Sequence, residues 1–386
     1  MDIDRATPLL GGLTPRLFMR RHWQKKPLLV RAAIDPAEVH VMAEDLFELA
    51  GRDDVRSRLV VRGESDWRLR HGPLARRALP SRKRSGWTLL VQAMDRHRAD
   101  MHALLARFRF VPQARLDDVM LSYASDGGGV GPHFDSYDVF LVQLKGRRRW
   151  RIGRLGEREL EAGLPLKILR RFEAEDEWLL EPGDMLYLPP DWAHDGVAEG
   201  ECITASIGFR APAREALARE VAQRMLDAQD DANEDAGAPD PDRDRYRDPG
   251  QRAIANPGRI PDALAAYSRT ALQSLVDDPR SVACALGEWL SEPDADASFE
   301  GSAALDARAG VALDRSTRML YDRWHLFVNG ESFLAGGRDA TLMRRLADTA
   351  QLSGMQVQAL SGEARELLEQ WLHAGWLRAI EPPPER

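Results

Sequence analysis

One run of residues limits the fold of this chain more than any other: Gly127 to Ile152, GGGVGPHFDSYDVFLVQLKGRRRWRI. From Pro132 to Leu144 it is rich in β-branched, aromatic and aliphatic residues, and Lys145-Gly146 is a turn signal, so we expect a strand and then a turn. Side chains alternate along a strand, which puts His133 and Asp135 on one face, about 7 Å apart along the backbone. An imidazole and a carboxylate so placed are two ligands of a candidate metal site.

A second histidine completes this set. His194 lies in EPGDMLYLPPDWAHDG, Glu181 to Gly196, after a turn, a short apolar strand and a pair of prolines. Two histidines and one carboxylate occupy one face of an octahedron and leave three positions open, as in non-haem Fe(II) oxygenases. Zinc accepts the same ligands, so these residues alone leave the metal open between iron and zinc.

Four arginines surround Trp150 in the second half of the run. If residues 147–152 form a strand, alternation puts Arg148, Trp150 and Ile152 on one face and the other three arginines on the opposite one. A guanidinium among apolar neighbours needs an anionic partner, because an unpaired buried charge is costly. The pattern leaves two partners open: an acidic side chain of the protein, or a dicarboxylate ligand such as 2-oxoglutarate.

Four further side chains are candidate substrate contacts near this metal site. Tyr137 shares the face of the first two ligands, where it could contact the substrate or 2-oxoglutarate, or fill the interior. Asp117, Asp118 and Asp138 could hold a positively charged substrate group, because carboxylates bind guanidinium ions in a bidentate manner. The sequence does not choose among the three.

Three blocks of the chain, taken in order and spacing, resemble the JmjC-type cupin ribosomal oxygenases. They are the run that begins at Gly127, the run from Glu181 to Gly196, and Ile203 to Pro212, ITASIGFRAP. The similarity is greatest to the bacterial members that hydroxylate an arginine of large-subunit ribosomal protein L-sixteen. The resemblance implies a double-stranded β-helix of the cupin/JmjC type over roughly the first 210 residues.

The resemblance also implies the chemistry. Fe(II) is expected on His133, Asp135 and His194, and Arg148 is expected to pair with the distal carboxylate of the co-substrate 2-oxoglutarate. The implied activity is that of a 2-oxoglutarate-dependent dioxygenase with a ribosomal protein as substrate. Two alternatives stay open: a hydroxylase of a histidine in another ribosomal protein, and a metal-binding cupin that acts as a regulator or scaffold without catalysis.

The domain organisation follows from changes in pattern along the chain. We expect an α+β protein with the cupin/JmjC oxygenase domain at residues 1–212, a helical region at 213–303 and a winged-helix-like domain at 304–386. Related oxygenases dimerise through such a helical region, so a homodimer is expected.

The winged-helix-like domain is predicted from a hairpin with the turn Asn329-Gly330 and from helical patterns at Asp339–Ala350 and Ser361–Ala374. A winged helix often binds DNA. Here, however, Gly310 to Arg386 carries nine basic and ten acidic residues. Because binding to phosphates requires net positive charge, we expect a structural or protein-docking module and no direct DNA binding.

Composition excludes several protein classes. The two cysteines, Cys202 and Cys284, are too few for a disulfide framework. The start, MDIDRATPLL, lacks a basic segment followed by an apolar one, and no apolar run reaches membrane-spanning length. We therefore expect a cytoplasmic protein without a membrane segment, whose net charge of −7 suits a basic partner.

Two further predictions concern packing outside the central run. The segment from Trp87 to Phe108 has apolar residues at spacings of three and four, which predicts a helix. Phe18 and Trp23 lie in an aromatic and basic segment near the N-terminus. We expect these two rings to anchor that segment onto the barrel.

Overall fold

The chain folds into two compact units, Met1–Ala211 and Pro212–Arg386. The computed structural model describes residues 2–63, 66–235, 245–301, 308–334 and 336–380. The predicted boundary between residues 212 and 213 lies beside the division between the units. The predicted boundary between 303 and 304 lies outside the described residues, so the division into three domains stays a prediction.

The first unit is built on one antiparallel sheet, which has nine strands in the described part of the chain. These strands are β1 (Leu28–Val30), β2 (Ser57–Arg62), β3 (Trp67–His71), β4 (Trp87–Val91), β5 (Leu116–Ala124), β6 (Val139–Arg154), β7 (Asp176–Leu180), β8 (Met185–Leu188) and β9 (Trp192–Phe209). Their order is β1-β8-β6-β9-β5-β4-β2-β3, and β7 also pairs with β6. Because β6 and β9 pair along both of their halves, they form the centre of the predicted double-stranded β-helix.

Helices pack around this sheet, and the N-terminal one carries the predicted anchor. The helices are α1 (Pro15–Arg21), α2 (Ala43–Leu49), α3 (Met94–His97) and α4 (Ala99–Ala106). Phe18 of α1 is fully buried, with its ring centroid 5.5 Å from that of Phe140 and 4.9 Å from that of Tyr187. Trp23 stacks on Tyr187. These contacts confirm that Phe18 and Trp23 hold the N-terminal segment against the sheet.

The predicted turn at Lys145-Gly146 is wrong. Strand β6 runs without interruption over 16 residues, and its pairing with β9 shifts register on both sides of Lys145, as in a β-bulge. Gly146 has a φ of +61°, which explains why a turn residue stands here. The predicted strand from Pro132 is also too long: β6 begins at Val139, so His133 and Asp135 lie in the segment before it.

The predicted helix from Trp87 to Phe108 is wrong over its first part. Residues Trp87–Val91 form β4, a strand between β2 and β5 in which every residue is buried. A strand buried on both faces shows no alternation, so its apolar run cannot be distinguished from a helix by periodicity. Ala93, with a φ of +54°, ends the strand region, and the two short helices α3 and α4 follow.

The second unit contains two small sheets among six helices in its described residues. Its helices are α5 (Arg214–Asp235), α6 (Asp262–Val276), α7 (Pro279–Ser291), α8 (Asp339–Thr349), α9 (Gly354–Gln358) and α10 (Gly362–His373). Its strands are β10 (Gly310–Leu313), β11 (Met319–Tyr321), β12 (His325–Val328), β13 (Glu331–Leu334), β14 (Gln351–Leu352) and β15 (Leu377–Ile380). The sheets have the orders β14-β10-β15 and β11-β12-β13.

The predicted hairpin of this unit is confirmed. Strands β12 and β13 pair around Asn329 and Gly330, which both have positive φ angles, as a tight two-residue turn requires. Helix α7 packs on the same hairpin and contributes buried Ala285 and Gly287. Among the described residues, no helix has the length and apolar character needed to cross a membrane.

Replacing Gly287 by alanine tests how closely α7 packs on β12. A Cβ at this position would lie 2.2 Å from the ring of Phe327, which is itself buried. The higher helix propensity of alanine would stabilise the protein by about 1 kcal/mol. Overpacking costs about 1–3 kcal/mol, and an overlap this severe should cost close to the upper limit of that range. We expect Gly287→Ala to lower the free energy of urea unfolding by about 1–2 kcal/mol.

The matched control is Gly362→Ala at the start of α10. A Cβ there has no neighbour within 4 Å, so the stability should change by less than about 0.5 kcal/mol. Equal stability of the two variants would contradict the close packing of α7 on β12.

Candidate metal centre

The three predicted metal ligands lie together in the first unit. One candidate ligand atom from each of His133, Asp135 and His194 lies within 4.8 Å of the other two. His194 Nε2 is 3.7 Å from Asp135 Oδ2, and the two imidazole centroids are 4.2 Å apart. This spacing allows one ion to contact all three side chains.

Backbone hydrogen bonds fix the spacing of the two histidines. The His133 N–H donates to the His194 carbonyl at 3.0 Å, and the His194 N–H donates to the His133 carbonyl at 2.8 Å. The carbonyl of Asp135 accepts the N–H of Asp191 at 3.0 Å. The segment that carries the first two ligands is therefore held in register with the start of β9, although it is not itself a regular strand.

Each imidazole is oriented by a backbone carbonyl. His133 Nδ1 lies 2.9 Å from the Gly131 oxygen, and His194 Nδ1 lies 3.0 Å from the Trp192 oxygen. A carbonyl oxygen only accepts, so Nδ1 carries the proton in both rings. The Nε2 lone pairs are then free to bind a metal, as in many metal sites where a hydrogen bond from the other ring nitrogen fixes the tautomer.

Burial keeps the deeper histidine neutral. His194 is 3% exposed, and its pKa is lowered to about 4, first by burial and then by the nearby His133. A neutral imidazole is the form that binds metals, so this ring needs no deprotonation at neutral pH. The set of two neutral nitrogen ligands and one carboxylate fits Fe(II), Co(II) or Zn(II).

The predicted alternation around Trp150 is confirmed by burial. Arg148, Trp150 and Ile152 are all at most 5% exposed, whereas Arg147 and Arg151 are exposed. Arg149 lies on the outer face, where it pairs with Glu177 and Glu199. Arg151 lines a cavity of about 400 Å³ together with Trp67 and Asp195. Arg148 is therefore the member of the arginine group that faces inward.

Arg148 is buried without an acidic partner among the described residues. Its Nη1 donates to Ser122 Oγ at 3.0 Å, and its Nη2 donates to the Gly196 carbonyl at 3.2 Å. Its Nε has no hydrogen-bond partner, and its guanidinium carbon lies 4.9 Å from the centroid of Trp150. Burial lowers the pKa of Arg148, because a charged guanidinium without a counter-ion is disfavoured. Of the two partners left open by the sequence, the dicarboxylate ligand fits this arrangement.

The absence of a side chain at Gly196 leaves room for this guanidinium. A Cβ there would lie 2.7 Å from the Trp150 ring and 2.8 Å from Arg148 Nε. Gly196 lies two residues after the candidate ligand His194 on β9, so the two residues share one face of the strand. Sequence reasoning did not find the roles of Gly196 and Ser122, because each depends on a contact between strands that are distant in the chain.

The four candidate substrate contacts have different surroundings. Tyr137 is 40% exposed, and nearby Asp135 contributes to raising the pKa of its hydroxyl, after burial. Asp118 accepts the N–H of Ala93 at 2.8 Å, and Asp117 accepts Nε of Arg210 at 3.3 Å.

Asp138 differs from the other three because it is fully buried. Its carboxylate accepts hydrogen bonds from the Tyr187 hydroxyl at 2.6 Å and from Gln24 Nε2 at 3.0 Å. These bonds tie the N-terminal segment to β8, so the arrangement of Asp138 favours a structural role over contact with a substrate.

Comparisons with known proteins agree with this architecture. Residues 103–217 match the JmjC domain family, and residues 273–378 match the ROXA-like winged helix family. The chain is 34% identical over 276 residues to the ribosomal protein uL16 3-hydroxylase of Escherichia coli, covering 71% of this chain and 70% of that protein. It is 39% identical over 208 residues to a probable ribosomal oxygenase of Haemophilus influenzae, covering 52% of this chain and 50% of that protein.

Solved structures extend the similarity to almost the whole chain. E. coli YcfD has a TM-score of 0.82 and 28% identity, over 94% of this chain and 97% of that one. A structure of YcfD in complex with cobalt and 2-oxoglutarate, described as a ribosomal oxygenase, has a TM-score of 0.79, 28% identity and coverage of 96% and 99%. With its β-helix, its cluster of two histidines and one aspartate, and its winged helix, the chain belongs to the JmjC-domain ribosomal oxygenases.

Proposed function

We propose that this chain is an Fe(II)- and 2-oxoglutarate-dependent dioxygenase that hydroxylates an arginine of ribosomal protein uL16 in the cytoplasm. The single observation that carries the proposal is the inward guanidinium of Arg148, which forms no ion pair with an acidic side chain among the described residues and lies in the same β6–β9 ladder as His194 of the candidate metal cluster. Relatives support it: one is named a uL16 3-hydroxylase, and YcfD has been solved with cobalt and either 2-oxoglutarate or succinic acid.

The proposed roles follow from the positions of the side chains. His133, Asp135 and His194 would hold the metal on one side and leave the opposite side open. When bound, iron and 2-oxoglutarate supply the oxidation, in which dioxygen, 2-oxoglutarate and a substrate C–H bond give succinate, CO₂ and an alcohol. Arg148 would pair with the distal carboxylate of 2-oxoglutarate through its Nε and Nη groups and so set the depth and orientation of the co-substrate.

An acidic group of residues beside the ligands supports a cationic substrate. The pKa of Tyr137 is raised, first by partial burial and then by Asp135, with smaller effects from Asp118 and Asp117. Each of these three carboxylates therefore lies close enough to the Tyr137 hydroxyl to affect it electrostatically. A guanidinium entering between them would gain opposite charges, and the ring of Tyr137 offers it an aromatic face. This charge pattern favours arginine over histidine as the target.

The charge of the winged helix supports a role other than DNA binding. The exposed side of α10 carries Glu363, Glu366 and Glu369, with Arg365 between them. In winged-helix proteins that bind DNA, contacts to phosphates require basic groups, so three carboxylates on this helix would repel the duplex. We propose that this unit is a structural or protein-docking module.

Turnover with purified components tests the proposed function. The full-length protein is loaded with Fe(II) under nitrogen and then supplied with 2-oxoglutarate, oxygen and uL16. We expect succinate to form in amounts that rise with uL16, and one oxygen atom to be added to an arginine of uL16 in mass spectra. Chelation with EDTA, or the variant His194→Ala, should abolish both signals because the metal is lost.

Two outcomes of this experiment would contradict the proposal. Metal binding without succinate formation, with uL16 and every other ribosomal protein, would favour a regulator or scaffold. An oxygen atom added to a histidine of another ribosomal protein would favour a histidyl hydroxylase.

The variant Arg148→Ala tests the role of the inward arginine. Loss of a charge-assisted pair costs about 1.5–3 kcal/mol, so we expect the KM for 2-oxoglutarate to rise by about ten- to a hundredfold. Binding of Co(II), followed by its visible absorption, should change little because Arg148 is not a ligand. The matched control is Arg149→Ala on the same strand, whose outward side chain should leave the KM unchanged. Loss of Co(II) binding in Arg148→Ala would instead make this arginine a structural residue.

We also propose that the protein is a homodimer formed through the helical region. Helix α6 contains no buried residue, although its apolar side chains include Leu264, Tyr267, Leu272 and Val276. Leu272 is 66% exposed and Val276 53% exposed. Apolar side chains concentrated on one exposed helix are typical of an interface between subunits.

Leu272→Glu tests this interface. A carboxylate in the centre of an apolar contact would be desolvated without a partner, so we expect sedimentation equilibrium to show a shift from dimer to monomer. Gln273→Glu, the neighbouring position, adds the same charge to the same helix and should leave the dimer intact. A monomeric wild-type protein, or a Leu272→Glu variant that stays dimeric, would contradict the proposal.

A further inference from the structure

The alternation of side chains between the two faces of strand β6 reverses halfway along the strand. Phe140 and Val142 pack in the cluster that contains the N-terminal helices. Leu141, however, shares a second apolar cluster with Trp150 and Ile152. In a regular strand, odd-numbered and even-numbered residues lie on opposite faces. The alternation along β6 is therefore reversed between Leu141 and Trp150.

The reversal occurs at the bulge around Gly146. From the pair Gln143–Thr204 to the pair Arg148–Ala198, β6 advances by five residues and β9 by six, so the pairing is irregular here and the net extra residue lies on β9. Gly146 adopts a φ of +61°, and a Cβ there would lie 2.1 Å from the Glu201 carbonyl oxygen. Because the bulge precedes all four arginines, it decides which of them faces inward.

The amide of Gln143 occupies the inner side of this bulge. Its Nε2 donates to the Lys145 carbonyl at 2.8 Å and to the Gly146 carbonyl at 3.3 Å. Its Oε1 accepts the Thr204 hydroxyl at 2.9 Å. Gln143 is fully buried, so these bonds are shielded from water and replace the ladder hydrogen bonds that the bulge interrupts.

A second link joins this amide to the inward arginine. Ser122 Oγ, which accepts from Arg148, donates to the Thr204 carbonyl at 3.3 Å. Thr204 thus holds Gln143 through its side chain and Ser122 through its backbone. The four groups form one buried polar network across β5, β6 and β9.

We propose that Gln143 is a positioning residue that fixes the bulge and thereby selects Arg148, among the four arginines that surround Trp150, as the group that receives the co-substrate. The proposal rests on the function proposed above for Arg148. No aliphatic side chain can replace this amide, because the Lys145 and Gly146 carbonyls would lose their donor inside the protein. A glutamate would place a carboxylate against the same carbonyls and would be less favourable still.

Kinetics of Gln143→Leu test this role. We expect the KM for 2-oxoglutarate to rise by about tenfold, the difference that one lost buried hydrogen-bonded group produces. Co(II) binding should stay within about twofold of wild type, because the bulge lies away from the three ligands. Gln113→Leu, a glutamine outside this network in the same unit, is the matched control and should leave the KM unchanged.

The double variant separates positioning from a general loss of structure. If Gln143 acts through Arg148, then Gln143→Leu combined with Arg148→Ala should have the KM of Arg148→Ala alone. The proposal would be overturned if the rise in KM in the double variant equalled the product of the rises in the two single variants. So would an unchanged KM in Gln143→Leu when Arg148→Ala raises it. An unchanged KM in Arg148→Ala would remove the proposed role of Arg148 itself, which is a different result.

A milder variant covers the case in which Gln143→Leu does not fold. Thr204→Val removes the hydroxyl that donates to Gln143 and nearly preserves the shape of the side chain. We expect a rise in the KM for 2-oxoglutarate of about threefold, in the same direction as for Gln143→Leu. A wild-type KM for Thr204→Val, together with normal folding, would overturn the role of the network.

Discussion

The pairing of β6 with β9 is the interaction on which the first unit depends. In one half of this ladder, Arg148 and Gly196 face the interior, and His194 lies near the end of the same half. The segment with His133 pairs with the other edge of β9 through a reciprocal pair of backbone hydrogen bonds to His194. The proposed co-substrate anchor and two of the three proposed ligands are thus positioned by peptide groups, whose geometry does not depend on side-chain rotamers.

Burial of polar groups is what distinguishes the interior of this β-helix from an ordinary apolar core. Arg148, Gln143, Ser122 and Thr204 are all nearly inaccessible to water. The amide and the hydroxyls all have hydrogen-bond partners, whereas the guanidinium keeps an unpartnered Nε and forms no ion pair with an acidic side chain among the described residues. A network that is complete except at one cation is typical of a site that receives an anion, since a buried charge is stabilised only by an opposite one.

Much of the site could be predicted from the sequence, because its signals are short-range. His133 and Asp135 are two residues apart, and the inward position of Arg148 follows from alternation within a few residues of Trp150. What the sequence could not give depends on partners far along the chain. The bulge at Gly146 resembles a turn until the strand opposite it is known, and β4 resembles part of a helix because both of its faces are covered. The bonds of Asp138 to Tyr187 and Gln24 join segments that no local pattern connects.

The reciprocal backbone bonds between His133 and His194 have a consequence for metal selection. They set the gap between the imidazoles before any ion arrives, so the apoprotein already presents its nitrogen ligands. Three ligands with an open side impose little coordination geometry of their own, and affinities for such sites follow the intrinsic order of the divalent metals, in which iron ranks below zinc. The concentrations of the metals in the cell, rather than the shape of the protein, would then decide whether iron or zinc binds. Zinc should displace iron, and activity should fall, when zinc is abundant and iron is scarce.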